Sequence, residues 1–346
     1  MSPKCYGSIS VSKTDGRGSS PWGFAKNCSE MAEWLGRSLQ SFERGFDSDL
    51  YFHYINNFMT TRLMFIGDNR IPDATLCLKY DRFLIPQFDK TIIYHQPPVA
   101  DIVSAFTRYN IDLAHIQFVS DNELIQQFNS TEFKSLIDWL LHENHAWIRQ
   151  QFFKLMALDV CNDSHIVISD CDSIRIRPHE YLVDGLPVLY LDNDYTNNPG
   201  QWGPSFRDLT GIELDPHNVF VSEFFPILKT DWQALCKLIE SRSGSPWIMS
   251  LQQQIITRGR ESHQGLNFSE YQFLGNWLMH VRPNTLTVKQ TRFWPNLNNS
   301  LESELDRIDI TKLNCLNVDS KSWNVPVSLD NIDYYTQVID QRIQRI

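Results

Sequence analysis

At 346 residues, with 42% hydrophobic and 12% aromatic content including 10 Trp, the chain has ample material for a sizeable core, and the composition argues against disorder. A formal net charge of −10 argues against a general nucleic-acid binder, which needs a clustered basic face. The seven cysteines are scattered and odd in number with no C-x-x-C spacing, so reduced thiols are expected rather than a disulfide framework or a structural zinc site.

The first residues, Met1 to Ser8, carry no apolar core of a signal peptide, and no stretch approaches the roughly 20 apolar residues that span a bilayer. A cytoplasmic location without a transmembrane segment is the expectation. Residues 1–50 are rich in Ser, Gly, Lys and Asp and read as an appendage, with a short helix expected near Met31, Trp34 and Leu35. Thr61–Ile66 is a compact apolar run ending in Gly67-Asp68-Asn69, the pattern of a buried strand and its loop. Residues 73–88 are mixed with helical character. Lys90–Tyr94 is a second strand, closed by Pro97-Pro98, and Val99–Tyr109 has helical spacing. Ala114–Val119 is a third strand. Thr131–Leu158 is the longest helical stretch and reads as one or two helices. His165–Ser169 is a β-branched strand leading into Asp170-Cys171-Asp172, and Pro187–Leu191 is another, leading into Asp192-Asn193-Asp194. A Gly-, Pro- and Asn-rich loop comes next, to about Asn218, then amphipathic helices over Thr230–Ser241 and Phe268–Met279. The tail from 284 shows no firm pattern.

Strands alternating with helices give an α/β layered fold with a largely parallel sheet. In such sheets ligands bind beyond the carboxyl ends of the strands. Three strands end in acidic loops, at Asp68, Asp170 and Asp192, which predicts one site at one edge.

The strongest local signal is His165-Ile-Val-Ile-Ser-Asp-Cys-Asp-Ser-Ile174. In regular strand geometry Asp170 and Asp172 share a face, where two carboxylates repel unless a cation or proton sits between them. Mg²⁺ or Mn²⁺ would answer that repulsion and keep positions open for phosphate oxygens, while a pair of solvated acids at a strand end is the bland alternative. The acidic balance of the chain is compatible with a nucleotide ligand, because a divalent cation can bridge an acidic protein to a diphosphate.

This strand-Asp-Cys-Asp-Ser arrangement resembles the DxD motif of GT-A glycosyltransferases. Together with Trp147-Ile-Arg-Gln-Gln-Phe-Phe-Lys-Leu155, Val119-Ser-Asp-Asn-Glu-Leu124, Arg177-Pro178 and Phe268-Ser-Glu-Tyr271 it resembles the DUF6492 group of bacterial and viral GT-A-like proteins over roughly residues 60–280. The resemblance implies a GT-A-like α/β fold, a Rossmann-type mixed, mostly parallel sheet flanked by helices, with a nucleotide-binding half to about residue 195 and an acceptor-binding half after it, within a domain over 51–283 and ahead of an extension over 284–346. It implies a UDP- or GDP-sugar donor, a glycan acceptor, and a Mn²⁺ or Mg²⁺ ion with Asp172 as the direct ligand and Asp170 as helper.

The same resemblance implies further candidates. Arg149, Gln150 and Lys154 precede the Asp-x-Asp strand and present to the donor, or are solvated helix polars. Gln150 and Lys154, four apart, share a helix face. Asp68 accepts hydrogen bonds from the base or ribose, or is a turn residue. Glu270 is the catalytic base, or an acid in the first turn of a helix capped by Ser269, with Glu223 and Asp231 as weaker rivals. His280 completes the metal shell, or is structural, with His217 and His263 as alternatives. Trp202, Trp232 and Trp247 stack on sugar, or are core, with Trp202 the best placed for substrate. The rival functions are a haloacid-dehalogenase-type phosphotransferase, whose motif carries Thr or Val where Ile174 stands, and a non-catalytic carbohydrate-binding protein.

Overall fold

The computed structural model describes residues 59–128, 130–142, 146–191, 203–213, 215, 217–220, 224–259, 268–290, 293–294, 315–317 and 327–344. The expected appendage over residues 1–50 lies outside them.

The central sheet has five strands. β1 (Thr60–Ile66) lies between β2 (Lys90–His95) and β4 (His165–Asp170) and runs parallel to both. β3 (Ile116–Ser120) continues the parallel set beside β2. After β5 (Leu186–Leu191), β6 (Phe224–Leu228) closes the sheet beside β4 and runs antiparallel to it. The fold is therefore mixed α/β with a mostly parallel central sheet flanked by helices.

The continuous apolar runs reflect burial on both faces. All seven residues of β1 are buried. Leu63 and Phe65 join Ile92, Tyr94, Ile166 and Ile168 in one core cluster, and Met64 and Ile66 join Ile93 in another. The second face is covered by α1 (Ile71–Lys79) and α2 (Val99–Arg108) through Ala74, Cys77, Ile102 and Phe106. α1 begins with Pro72 and Asp73 in its first turn, where a missing N–H is harmless and a negative charge is favoured. The first face is covered by α5 (Ala146–Val160), which buries Phe152, Phe153, Leu155, Met156, Ala157 and Leu158. A helix apolar almost all round must be enclosed.

The helical stretch expected over 131–158 is interrupted. A short turn at Thr131–Phe133 leads into α4 (Lys134–Leu140), and α5 starts anew at Ala146. Between β3 and that turn stands α3 (Asp121–Gln127), held by a capping box: Ser120 N–H donates to Glu123 Oε2 at 2.6 Å and Glu123 N–H to Ser120 Oγ at 3.2 Å. The loop expected to 218 contains α6 (Gly203–Thr210), and α7 (Lys229–Ser243) precedes α8 (Trp247–Gly259).

The helix expected over 268–279 is α9 (Glu270–Val281), and Ser269 caps it by accepting from Gln272 N–H. α9 packs closely at Gly275, where a Cβ would collide with the Phe220 ring. Gln272 secures the same segment, its Oε1 accepting from Phe220 N–H at 3.0 Å.

β5 does not join the central sheet. It pairs with Leu182–Val183 and with β7 (Thr287–Gln290) in a separate three-stranded sheet. The expected convergence of three acidic loops is corrected accordingly: Asp192 comes after a strand of another sheet, and Asp192 itself lies outside the described residues. The tail, which showed no firm pattern, contains a helix among the described residues. α10 (Ile332–Ile343) inserts Ile332, Tyr335 and Ile339 among Leu76, Tyr80 and Ile174, and Asp340 accepts from Tyr80 Oη at 3.1 Å. Among the described residues no helix is long and apolar enough to cross a membrane.

Candidate functional site

The chain leaves β1 through α1 to β2 and through α2 to β3, stepping to one side, and returns through α5 to β4 on the other side of β1. Loops after β1 and β4 therefore diverge, and in open parallel sheets that divergence leaves a crevice at the carboxyl edge. A cleft of about 310 Å³ opens at the carboxyl ends of β1, β2 and β3, lined by Asp68, His95, Gln96, Asp121, Arg149 and Phe153 among others.

β1, β2 and β3 each deliver the residues that follow them to this cleft. After β1, Asn69 adopts φ 63°, and Asp68 N–H donates to Gln96 Oε1 at 3.2 Å. Gln96 comes directly after β2, and Asp121 comes after β3 as the first residue of α3. Burial pushes the Asp121 carboxyl above its ordinary value, while a Gln96 hydrogen bond and the nearby Arg149 and His95 pull it back. Arg149 and Phe153, four apart on α5, form the opposite wall. Asp68 and Arg149 were expected from the sequence. Gln96 and Asp121 were not, although the same rule, applied to every parallel strand rather than to the acidic-looking loops, points to both.

One turn further along α5, the helix faces inward. Lys154 Nζ lies 2.5 Å from Asp170 Oδ1 and 2.6 Å from Glu270 Oε1, and donates to Tyr271 Oη at 3.3 Å. An ammonium has three N–H donors, and these partners use all three. Gln150 Nε2 reaches the same Asp170 oxygen at 3.5 Å, so Gln150 and Lys154 do share a face, and that face looks at Asp170. The Gln151 amide, with its nitrogen turned toward the acid, donates to Glu270 Oε1 at 2.9 Å. The Lys154 and Glu270 side chains are each 2% exposed. Burial pushes the Lys154 ammonium down, but the two carboxylates outweigh it and hold the group above its ordinary value. Burial, reinforced by the Asp170 charge, raises Glu270.

The cluster bears on two of the expected residues. Lys154, expected to present to a donor, has its ammonium engaged by Asp170, Glu270 and Tyr271. Glu270, expected as the base, is buried against that ammonium.

The acid pair is also not as regular strand geometry suggested. β4 ends at Asp170, and Asp172 lies in a bend before the short strand Ser173–Arg175. Asp172 Oδ2 stands 3.6 Å from Arg70 Nη1, which also holds Asp73 Oδ2 at 2.8 Å. The two acids thus face different cations on different elements. His280 lies near the other end of α9, and ten residues at 1.5 Å rise carry it about 15 Å along the helix from Glu270. It cannot join a shell with Asp170. Among the described residues no three His, Cys, Asp or Glu side chains converge to hold a metal ion. A divalent ion gripped by both acids therefore does not fit this arrangement.

Among the weaker candidates, Asp231 is held by Arg282 at 2.7 Å, at the His280 end of α9. His217 lies on the 215–218 turn, where its N–H donates to Asp215 Oδ1. Trp232 and Trp247 are buried and pack edge to face at 4.8 Å, which makes them core. Trp202, Glu223 and His263 lie outside the described residues.

No protein-family model matches the chain, and no curated protein matches it. The DUF6492 resemblance therefore stands on its motifs alone. Among solved structures, the galactosyltransferase LgtC in complex with donor and acceptor sugar analogs aligns over 81% of this chain and 95% of its own, at 11% identity and a TM-score of 0.39. The glycosyltransferase GlyE of Streptococcus pneumoniae TIGR4 aligns over 84% of this chain at 12% identity and a TM-score of 0.37, and this chain spans 64% of GlyE's own length. At these values neither likeness bears on the chemistry, which rests on the topology and side chains of the cleft itself.

Proposed function

We propose that the protein transfers a sugar from a nucleotide-activated donor to a hydroxyl of a glycan or similar acceptor. The observation that carries this reading is the polar cleft of about 310 Å³ where Asp68, Asp121 and Arg149 meet beyond the carboxyl ends of parallel strands. A nucleoside diphosphate matches that lining. Its ribose hydroxyls and base N–H groups are donors that the carboxylates accept, and its phosphates are anions that a planar, permanently charged guanidinium binds. UDP- and GDP-sugars both meet these terms.

Departure of the diphosphate builds negative charge, which fixed cations stabilise. Arg149 in the cleft and Arg70 on the loop after β1 are the cations assigned that role. Asp172, 18% exposed and outside the Lys154 cluster, is assigned to sugar hydroxyls. Asp170, Gln150, Lys154 and Glu270 position the end of β4 rather than touching substrate.

The test is calorimetry with UDP, GDP and CMP, and then a donor screen that reads nucleotide release. One nucleotide is expected to bind, and Arg149→Ala to weaken it about tenfold, or ~1.4 kcal/mol. Failure of all three to bind the folded protein overturns the reading.

A further inference from the structure

The acids at the carboxyl edge are balanced from within. Asp170 Oδ1 accepts the Lys154 ammonium at 2.5 Å, and that ammonium is shared with Glu270 at 2.6 Å. A metal ion entering beside Asp170 meets a like charge already in place. Expelling Lys154 would strip Glu270, 2% exposed, of its cation, and a buried carboxylate without a partner is strongly disfavoured. Lys154 has nowhere to go, since its side chain is equally buried and Tyr271 closes its third donor direction at 3.3 Å, with the ammonium 4.5 Å from the ring centroid. Asp172 cannot act as the second arm of a clamp, because the strand ends at Asp170 and Asp172 is turned toward Arg70 at 3.6 Å. Cationic charge is nonetheless present at the cleft: Arg149 lines it with Asp68, and Arg70, paired with Asp73 at 2.8 Å and with Asp172 at 3.6 Å, stands two residues after Asp68.

From this geometry we infer that the protein binds its nucleoside diphosphate without a divalent cation, Lys154 serving as the resident counter-ion of the acidic strand end and the arginines meeting the phosphates. The identity of the ligand rests on the transferase reading above; the absence of a divalent requirement rests on Lys154.

Two measurements separate these. The first is titration of manganese into the protein alone, read by the electron paramagnetic resonance signal of free Mn²⁺. The wild-type protein is expected to leave the signal undepleted. Lys154→Met, which uncovers two carboxylates, is expected to gain one manganese site. Depletion at one equivalent by the wild type, abolished by Asp170→Asn or by Asp172→Asn, overturns the inference. This readout does not depend on any nucleotide, and the wild-type, Asp170→Asn and Asp172→Asn arms decide it even where Lys154→Met does not fold. The second is calorimetry with UDP and GDP in excess EDTA and in excess manganese. Affinities within about threefold of each other are expected, and tightening of more than about tenfold by manganese overturns the inference. Loss of nucleotide binding under both conditions, with the manganese signal still undepleted, refutes the transferase reading and leaves the Lys154 assignment supported.

Discussion

Two polar clusters lie within two turns of one another on α5, and they differ in what they leave unsatisfied. In the first, Lys154, Asp170 and Glu270 answer one another: the ammonium has three partners, and Lys154 and Glu270 are sealed from solvent. In the second, Asp68, Asp121 and Arg149 face a space of about 310 Å³. Charge that closes on itself holds a fold together, whereas charge that faces a void is available for recognition. The comparison predicts opposite phenotypes for residues little more than a turn apart, Arg149 and Lys154.

The largest expected effect lies in the closed cluster. Lys154→Met removes the ammonium that two acids share, and loss of one partner of a buried ion pair costs about 3–5 kcal/mol. Chemical denaturation should register that loss, and a change below about 1 kcal/mol would show that the cluster is open to solvent. Next is Gly275→Ala on α9, the helix that carries Glu270. Its Cβ has no room beside Phe220, and overpacking costs about 1–3 kcal/mol, readable as a fall in Tm. Glu270→Gln sharpens the comparison further. It leaves Lys154 paired with Asp170, so a stability loss of about 1–3 kcal/mol is expected, with turnover changed less than about tenfold. A general base at this position would lose about 10²–10⁴ in kcat with stability intact.

How much of this was legible in the sequence depended on range. The strands at Thr60–Ile66, Lys90–His95 and His165–Asp170 announced themselves because buried parallel strands need unbroken apolar runs. Ser269 announced the start of α9 because capping is local. What failed was pairing across distance. Lys154 and Glu270 are 116 residues apart, and nothing local says that a lysine on an apolar helix is neutralised rather than offered to a ligand. The alternation rule placed Asp170 and Asp172 on one face, but it holds only while the strand continues, and β4 stops at Asp170. Leu186–Leu191 read correctly as a strand and wrongly as a member of the central sheet, since sheet membership is a tertiary property. In the tail, Ile332, Tyr335 and Ile339 do keep helical spacing, but the stripe is narrow among polar neighbours and only its burial against Leu76 and Tyr80 reveals it.

The smallest effect on stability is expected in the open cleft. Arg149→Ala and Asp121→Asn should each stay within about 0.5 kcal/mol of the parent, because neither group closes a buried pair. Their signature lies in binding and its pH dependence. Burial raises the Asp121 carboxyl, so its charged form is lost sooner than that of an ordinary aspartate as the solution is acidified. A raised proton affinity makes the protonated form the favoured one in the fold, so this group's contribution to stability is largest at low pH and declines as pH rises through the raised value. Recognition runs the other way. The ionised carboxylate accepts from ribose or base, so nucleotide affinity should fall on acidification from neutral pH, beginning above the range in which exposed aspartates titrate. Asp121→Asn should flatten that limb of the affinity profile while changing stability at neutral pH by no more than about 0.5 kcal/mol. An affinity profile identical in parent and variant would move Asp121 out of the recognition cluster and leave Arg149 and Asp68 to carry it.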